Sequence, residues 1–452
     1  MKLTFMGATG TVTGSKYLLT DGSNKILVDC GLFQGYKELR LRNWGELPVD
    51  PHTIDAVVLT HAHIDHSGYL PLLVKHGFKG KIYCTPATKD LCSILLPDSG
   101  YLQEEEARLA NKFHSSKHKP ALPLYTKEDA IRSLKHFSVV DFDTPLKLLK
   151  TFTIRFHRAG HILGASLVSV KHHSISLLFS GDLGRPHDPV MRAPDIISET
   201  DYLVLESTYG DRLHASDDPQ EKLGEIIRET AKRGGSVIIP AFAVGRAQTL
   251  LYYIYKLKLA DKIPYMPIFL DSPMAEDATD LLCRYKNEHR QSEEECNKFC
   301  SVATYVKTLD ESQEVDNLKI PSIIISASGM ATGGRVLHHL KALAPNYRNT
   351  ILFTGYQAGG TRGDRILKGE REIKIFGEMI PVKAQVESIS NLSAHADYQE
   401  ILDWLCNFKN NPRKVFITHG EPEAALSLKK KIEEKFGWDC VVPHYLQKEN
   451  LS

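Results

Sequence analysis

His61-Ala62-His63-Ile64-Asp65-His66 decides the reading of this chain, together with the strand-like run Ile54-Asp55-Ala56-Val57-Val58-Leu59-Thr60 that leads into it. The run is β-branched and apolar, and the segment from Ser67 onward is helical in pattern. Four ligand-type side chains therefore sit at one strand-to-helix turn. In an extended segment His61 and His63 point to the same side, because strand side chains alternate with period two. Asp65 and His66 then fall at the start of the helix. A cluster of imidazoles and a carboxylate at such a turn reads as a metal site, and four ligands so close divide most naturally between two ions.

Two open sites need more donors, and the chain offers three in suitable context. His161 lies in the glycine-rich turn Ala159-Gly160-His161-Ile162-Leu163-Gly164, Asp182 follows the apolar strand Ile175–Phe179, and His419 ends the strand-like Lys414-Val415-Phe416-Ile417-Thr418 just before Gly420. Singly each is a weak signal, since polar residues often close strands. Beside the cluster they gain weight.

The 452 residues suggest two to three domains, and 42% apolar with 25% charged residues excludes a disordered or fibrous chain. Fifty-six Lys and Arg against 55 Asp and Glu give a net charge of +1, so any polyanion site must be a local patch. No uncharged apolar run reaches the ~18 residues of a membrane span. The start, Met1-Lys2-Leu3-Thr4-Phe5-Met6-Gly7, lacks the apolar stretch of a secretory signal. Eight scattered cysteines do not form a disulfide framework, so a reduced, cytoplasmic protein is expected. Cys296 and Cys300 stand four apart with no second pair nearby. They read as ordinary thiols, because a closed zinc site needs four matched ligands. Of the 20 histidines, the pairs His172-His173 and His338-His339 read as surface residues, and neither is expected to bind metal.

The first ~205 residues are strand-rich. From Ser216 the texture changes to an amphipathic helix ending in Gly234-Gly235, then three strand–turn–helix units beginning near Ser236, Pro321 and Thr350. The first two of those strands are continuous apolar runs, as a parallel sheet buried on both faces requires. Around Ile380 the texture reverts. The expected organisation is α/β, with a strand-rich domain over 1–208, an inserted α/β domain over 209–380, and the first domain completed over 381–452.

Asp29-Cys30-Gly31, the cluster His61 to His66, His161 in its glycine turn and Asp182 after Ser180-Gly181 resemble, in order, the successive motifs of the metallo-β-lactamase superfamily. With the insertion, Glu206 in Glu206-Ser207-Thr208, His395 in Ser393-Ala394-His395-Ala396-Asp397 and His419, the chain is similar to the β-CASP branch. That branch includes the endonuclease subunit of the mRNA cleavage and polyadenylation machinery, its bacterial and archaeal relatives, and ribonuclease J. The resemblance covers essentially the whole chain, and Pro123-Leu124-Tyr125-Thr126-Lys127-Glu128-Asp129-Ala130 is similar to a segment of its RNA-processing members. It implies an αββα sandwich with an inserted β-CASP domain. Because the first strand begins at Lys2, the additional N-terminal RNA-binding module of some archaeal relatives is not expected.

Residue by residue, the resemblance implies two Zn2+ per chain. His61, His63 and His161 would hold one and Asp65, His66 and His419 the other, with Asp182 bridging and Asp29 orienting the loop from behind. Paired ions lower the pKa of a water toward 7 and clamp the oxygens of a phosphodiester. Asp65 would orient the nucleophile, His395 would be the general acid, and Glu206 would hold its ring. The expected activity is a zinc-dependent ribonuclease leaving 5′-phosphate and 3′-hydroxyl ends, with RNA as partner and a homodimer possible.

The three units of the insertion carry Gly followed by Arg at the turn. Helix N-termini with an Arg make phosphate cradles. None fits the nucleoside-triphosphate loop, because the Lys-Ser/Thr pair is missing. Arg246, Ser326, Ser328, Gly329 and Arg335 are therefore expected to line a cleft between the domains and grip RNA, so that charge reversal at Arg335 weakens binding and flattens its salt dependence.

Rival readings are a small-molecule hydrolase of thioesterase or lactamase type, an iron-based oxygen-reducing relative, a DNA-acting β-CASP nuclease, and a metal-dead scaffold subunit. The first does not need an insertion of this length. The second replaces the second histidine of the cluster with Glu, where this chain has His63. The third usually has an apolar residue where this chain has His419. The fourth loses ligands that are all present here.

Overall fold

Alternating apolar residues build two seven-stranded sheets in the computed structural model, which describes residues 1–114 and 116–452. Across the first sheet lie Lys448–Asn450, Lys2–Phe5, Tyr17–Asp21, Asn24–Val28, Ala56–Val58, Lys81–Cys84 and Phe137–Val139. Across the second lie Cys440–Val441, Lys414–Thr418, Tyr202–Glu206, Ile175–Phe179, Ser166–His172, Phe152–Arg158 and Leu146–Leu148. Residues two apart from both sheets share one core. Leu3 and Phe5, Ile26 and Val28, and Ala56 and Val58 come from one sheet; Ile154 and Phe156, Val168 and Val170, and Leu177 and Phe179 come from the other. That period-two pattern is what lets sheets pack face to face. The intervening residues Leu27 and Val57 are buried as well, as strands covered on both sides require. Ala56–Val58 pairs in parallel with a neighbour on each side, which fixes where the chain emerges at His61.

This first unit comprises Met1–Asp188, Arg192–Leu213 and His395–Ser452. The second comprises Pro189–Met191 and His214–Ala394. Its six strands run Thr304–Tyr305, Ile268–Asp271, Ile323–Ser326, Val237–Pro240, Thr350–Phe353 and Gln385–Ser388, and all neighbours are parallel. Three of these strands lead into the helices Arg246–Leu259, Val336–Leu343 and Arg362–Leu367, as their sequence pattern indicates.

Both junctions differ from the sequence reading. The chain returns to the first unit at His395, not near residue 381. The reason is Gln385–Ser388, which pairs with Thr350–Phe353 at the edge of the inserted sheet. A polar, half-exposed edge strand has the same texture as the strands of the first unit. The paired histidines also differ from expectation. His172 is buried against Asp21 and the Phe152 ring, and His339 is buried between two aspartates, so neither is a surface residue.

Candidate metal centre

The ligand-type residues of the first unit's site stand just beyond the C-terminal ends of strands, in a glycine turn, or, for Asp65 and His66, in the short helix Ile64–Ser67. His61 follows Ala56–Val58, Asp29 follows Asn24–Val28, Asp182 follows Ile175–Phe179, and His419 follows Lys414–Thr418. Strand C-termini are where α/β folds place chemistry, because the chain turns there without spending its ladder hydrogen bonds. Asp29 and His419 have φ of +58° and +49°. Non-glycine residues in that region are uncommon and cluster at functional sites. His161 is flanked by Gly160 and Gly164 with φ of +72° and +75°. The hydroxyls of Thr85 and Thr88 donate to the Gly164 carbonyl at 2.7 and 2.9 Å, tying that turn to the start of the helix Pro86–Lys112. A Cβ on Gly31 would lie 1.6 Å from the Asp65 carbonyl oxygen, so only glycine lets the Asp29 loop pass the ligand turn.

Three side chains behind the site decide which face each imidazole presents. Asp29 accepts the Thr60 N–H at 2.8 Å, the Thr60 hydroxyl at 2.9 Å and His66 Nδ1–H at 2.8 Å. The Thr60 oxygen, its own proton committed to Asp29, accepts His61 Nδ1–H at 3.1 Å. Thr208 donates to the His419 carbonyl, leaving its oxygen to accept His419 Nδ1–H at 3.1 Å. In all three histidines Nδ1 carries a proton, and Nε2 faces the cluster. Anchoring one ring nitrogen is how proteins fix the tautomer and aim of a metal-binding imidazole.

The donors converge on Asp182, which is 2% exposed. On one side, His61 Nε2 and His161 Nε2 stand 3.4 and 3.5 Å from Asp182 Oδ2, and His63 Nδ1 stands 3.2 Å from His161 Nε2. On the other side, His66 Nε2 is 3.1 Å from Asp182 Oδ1 and 3.2 Å from His419 Nε2, which is 3.3 Å from Asp65 Oδ2. A four-coordinate zinc with bonds of about 2.0–2.1 Å holds its ligand atoms ~3.4 Å apart. The observed separations match that spacing, and His61 Nε2 and Asp182 Oδ1 are buried without a hydrogen-bond partner. Such atoms are costly unless a cation takes their lone pairs. Geometry thus brings together all seven residues that the sequence singled out, in the two groups expected.

Electrostatics keep the imidazoles of the first group neutral. Burial holds the His63 imidazole neutral, with its pKa down at about 3, and the neighbouring His61 reinforces this. Burial and the nearby His395 keep His161 neutral too. Burial alone would protonate Asp182, but the His419, His66 and His61 rings around it hold its carboxyl well below the usual range. His66 differs: burial disfavours its imidazolium, but the Asp182, Asp29 and Asp65 carboxylates overcome it and raise its pKa well above the usual value, so a divalent cation would bind there by displacing that proton.

His395 completes the site. Its Nδ1 donates to both Glu206 oxygens, at 3.1 and 3.2 Å, and its Nε2 lies 3.9 Å from Asp182 Oδ2. Glu206 is held in turn by the Leu183 N–H at 2.6 Å and the Thr208 N–H at 3.2 Å. Ala396 N–H donates to the Leu183 carbonyl, which sets the His395 backbone beside the Asp182 loop. Burial works against the imidazolium, but the Glu206 and Asp182 carboxylates overcome it and raise the His395 pKa to about 9. The site therefore presents a charged imidazole beside the ligand cluster. Thr60 and Thr208 escaped the sequence reading, because nothing marks a strand-end threonine as a clamp until its partner is known.

The residues expected to contact RNA lie in the second unit. Arg246 begins the helix Arg246–Leu259 and is largely buried. The Ser326 hydroxyl donates to the Asp271 carbonyl at 2.9 Å, and Ser328 Oγ accepts the Thr332 N–H at 3.1 Å. A Cβ at Gly329 would strike the Phe242 ring at 2.7 Å. Arg335 is engaged within the unit instead. Its guanidinium pairs with buried Asp271 at 2.6 Å and donates to the Val306 and Lys307 carbonyls at 3.0 and 2.7 Å. Charge reversal there would set a carboxylate against buried Asp271, so it reports on folding before it reports on RNA.

Comparison with known proteins agrees with this geometry. Residues 9–240 match the model of the metallo-β-lactamase superfamily, residues 247–366 the β-CASP domain, and residues 379–443 the Zn-dependent metallo-hydrolase RNA specificity domain. Ribonuclease TTHA0252 of Thermus thermophilus is 36% identical over 437 residues, covering 95% of each chain. Transcription termination factor FttA of Methanosarcina mazei is 31% identical over 460 residues, covering 96% of this chain and 69% of its own. A solved structure of a protein of unknown function from Enterococcus faecalis aligns with a TM-score of 0.55 at 13% identity, over 100% of this chain and 99% of that one, and shares the fold. Ligand geometry, inserted unit and sequence matches converge: the chain belongs to the metallo-β-lactamase superfamily, in its β-CASP branch.

Proposed function

We propose that this protein is a two-zinc ribonuclease, hydrolysing RNA phosphodiester bonds to 5′-phosphate and 3′-hydroxyl ends in RNA processing or decay. One observation carries the reading: His395, paired with buried Glu206, has its Nε2 3.9 Å from the carboxylate at the centre of the ligand cluster. A hydrolase that only needed metal-activated water has no use for a second, charged imidazole there. A phosphodiesterase does, because its leaving oxygen departs as an alkoxide unless protonated. Two further points support RNA as substrate. His395 and His419 both lie within the match to an RNA specificity domain, and a relative matched over 95% of its length is named a ribonuclease.

Imidazole and carboxylate donors without thiolate suit zinc. His61, His63 and His161 would hold one ion, Asp65, His66 and His419 the other, and Asp182 both. When bound, the ions supply an activated water near neutral pH and positive charge for the phosphate oxygens. The chain's own groups do the rest. The Asp65 carboxylate orients the attacking water. His395 gives its Nε2 proton to the departing 3′ oxygen, a role typically worth about 10²–10⁴ in rate. Glu206 pins Nδ1–H so that Nε2 faces the reacting phosphate, and it sustains the charged ring. Arg246, Ser328 and Gly329 are proposed to contact the RNA backbone on the second unit.

The test is incubation with 5′-labelled and 3′-labelled RNA, wild type beside His395→Ala. Cleavage by wild type to 5′-phosphate products, with a loss of at least about a hundredfold in the variant, supports the proposal. Full activity in the variant removes the acid. Cleavage of single-stranded DNA or a thioester in preference to RNA removes the substrate assignment.

A further inference from the structure

Three of the eight cysteines converge at a place that the metal centre does not use. Cys283 lies at the end of the helix Pro273–Arg284, and Cys296 and Cys300 lie one turn apart on the helix Glu293–Cys300. Their sulfurs stand 2.7 Å (Cys283 to Cys296), 3.4 Å (Cys283 to Cys300) and 3.9 Å (Cys296 to Cys300) apart. Cys296 is 1% exposed, and the other two are half-buried. All three belong to the second unit, so the cluster is independent of the His and Asp site.

The spacing discriminates between readings. Thiols that only fill a core pack against carbon, not against one another. Zinc–sulfur bonds of about 2.3 Å in tetrahedral geometry put sulfurs ~3.8 Å apart, and two of the three separations already lie near that value. The third pair sits closer than a van der Waals contact and would open as an ion entered. Electrostatics point the same way. The neighbouring thiols donate to Cys283 and draw its pKa down to about 3, whereas Cys296 is pushed up to about 12, first by its bond to Cys283 and against the bond it receives from Cys300. Three sulfurs in this space cannot all ionise unless a cation holds them.

His289, in the segment between the two helices, is not the fourth ligand. Its Nε2–H donates to the Leu282 carbonyl at 3.0 Å, and its Nδ1 accepts the Gln291 N–H at 3.2 Å, so both ring nitrogens are committed. Cys283 thus supplies the third donor that the Cys296 and Cys300 pair lacks in the sequence. We propose that Cys283, Cys296 and Cys300 form a thiolate site for one zinc-like, thiophilic cation in the second unit, with the fourth position open to water or an external ligand. A bound ion would tie the end of the first helix to the face of the next.

The experiment titrates reduced, metal-free protein with Co2+. A sulfur-to-cobalt charge-transfer band in the near ultraviolet, saturating by about three equivalents as the two His and Asp positions also fill, and abolished by Zn2+, is the expected result. Cobalt bound to histidines and aspartates gives no such band, so this outcome is separate from that of the proposed ribonuclease. Loss of the band in Cys283→Ser and in Cys296→Ser, with ribonuclease activity retained, assigns it to these residues. Absence of the band in reduced wild-type protein overturns the proposal. So does a band that survives both substitutions, and so does a Cys283–Cys296 disulfide in air from protein that shows no band when reduced.

Discussion

Replacing Glu206 with Gln tests the division of labour at the acid. The carboxylate stands 3.1 Å from His395 Nδ1 and leads the interactions that raise the imidazolium pKa to about 9 against burial. Asp182 supplies the next share. Cations bound to Asp182 would cancel that share, leaving Glu206 as the main support of the charged ring. An opposite charge at such range raises an imidazole pKa by about 1–3, or about 1.4–4 kcal/mol of preference for the protonated acid. Because the folded pKa is raised, the acid is charged below it and lost as pH climbs through it. In Glu206→Gln the basic limb of kcat/KM should therefore move down by about one to three pH units. A decade above the variant's limb the loss is about tenfold, while at pH 6 the two enzymes differ least. The assay is cleavage of labelled RNA over pH 5.5 to 9.5 at saturating Zn2+. A uniform drop at every pH, with the limb unmoved, would refute the reasoning and reduce Glu206 to a structural anchor for the Leu183 and Thr208 N–H groups.

Other expectations follow from the same geometry. Asp29→Asn puts an amide donor against the donors it now accepts, from Thr60 and His66. Zinc affinity measured by competition with a chelator should fall about 10–100-fold, and an unchanged affinity would show that the His66 tautomer is set elsewhere. Gly31→Ala should abolish metal uptake, since its Cβ would overlap the Asp65 carbonyl; a folded variant with full zinc content would contradict this. In the second unit, burial disfavours the His339 imidazolium, but Asp271 and Asp316 overcome it and raise its pKa from 6.5 to about 9. Stability from that ring is full below pH 6.5 and lost as pH rises to 9, a change of about 3 kcal/mol. Urea unfolding at pH 6 and pH 9 should show it in wild type and not in His339→Gln, and equal pH dependence in both would discard the ion network as its source.

The ligands were legible because of where they stand. A His or Asp within a few residues of the end of an apolar strand has no packing reason to be there, and Asp182, His419 and the His61 turn all share that placement. What orients them was not legible. Thr60 answers to Asp29, 31 residues away, and Thr208 to His419, 211 residues away. Cys283 is 13 residues from Cys296, across a broken helix, so its partnership depends on how two helices pack and not on any spacing rule. The edge strand Gln385–Ser388 was assigned to the wrong unit because alternation reports exposure, not which sheet a strand joins. Arg335 was misjudged in a related way. A Gly-Arg turn looks solvent-facing until the buried Asp271 that needs its charge is seen.

The account rests on Asp182 lying between two cations, and anomalous scattering at the zinc absorption edge from crystals of the zinc-loaded protein tests this most directly. The prediction is two peaks about 3.5–4 Å apart, one against His61, His63 and His161 and the other against Asp65, His66 and His419, with Asp182 touching both. A single peak, or none within reach of Asp182, would contradict it.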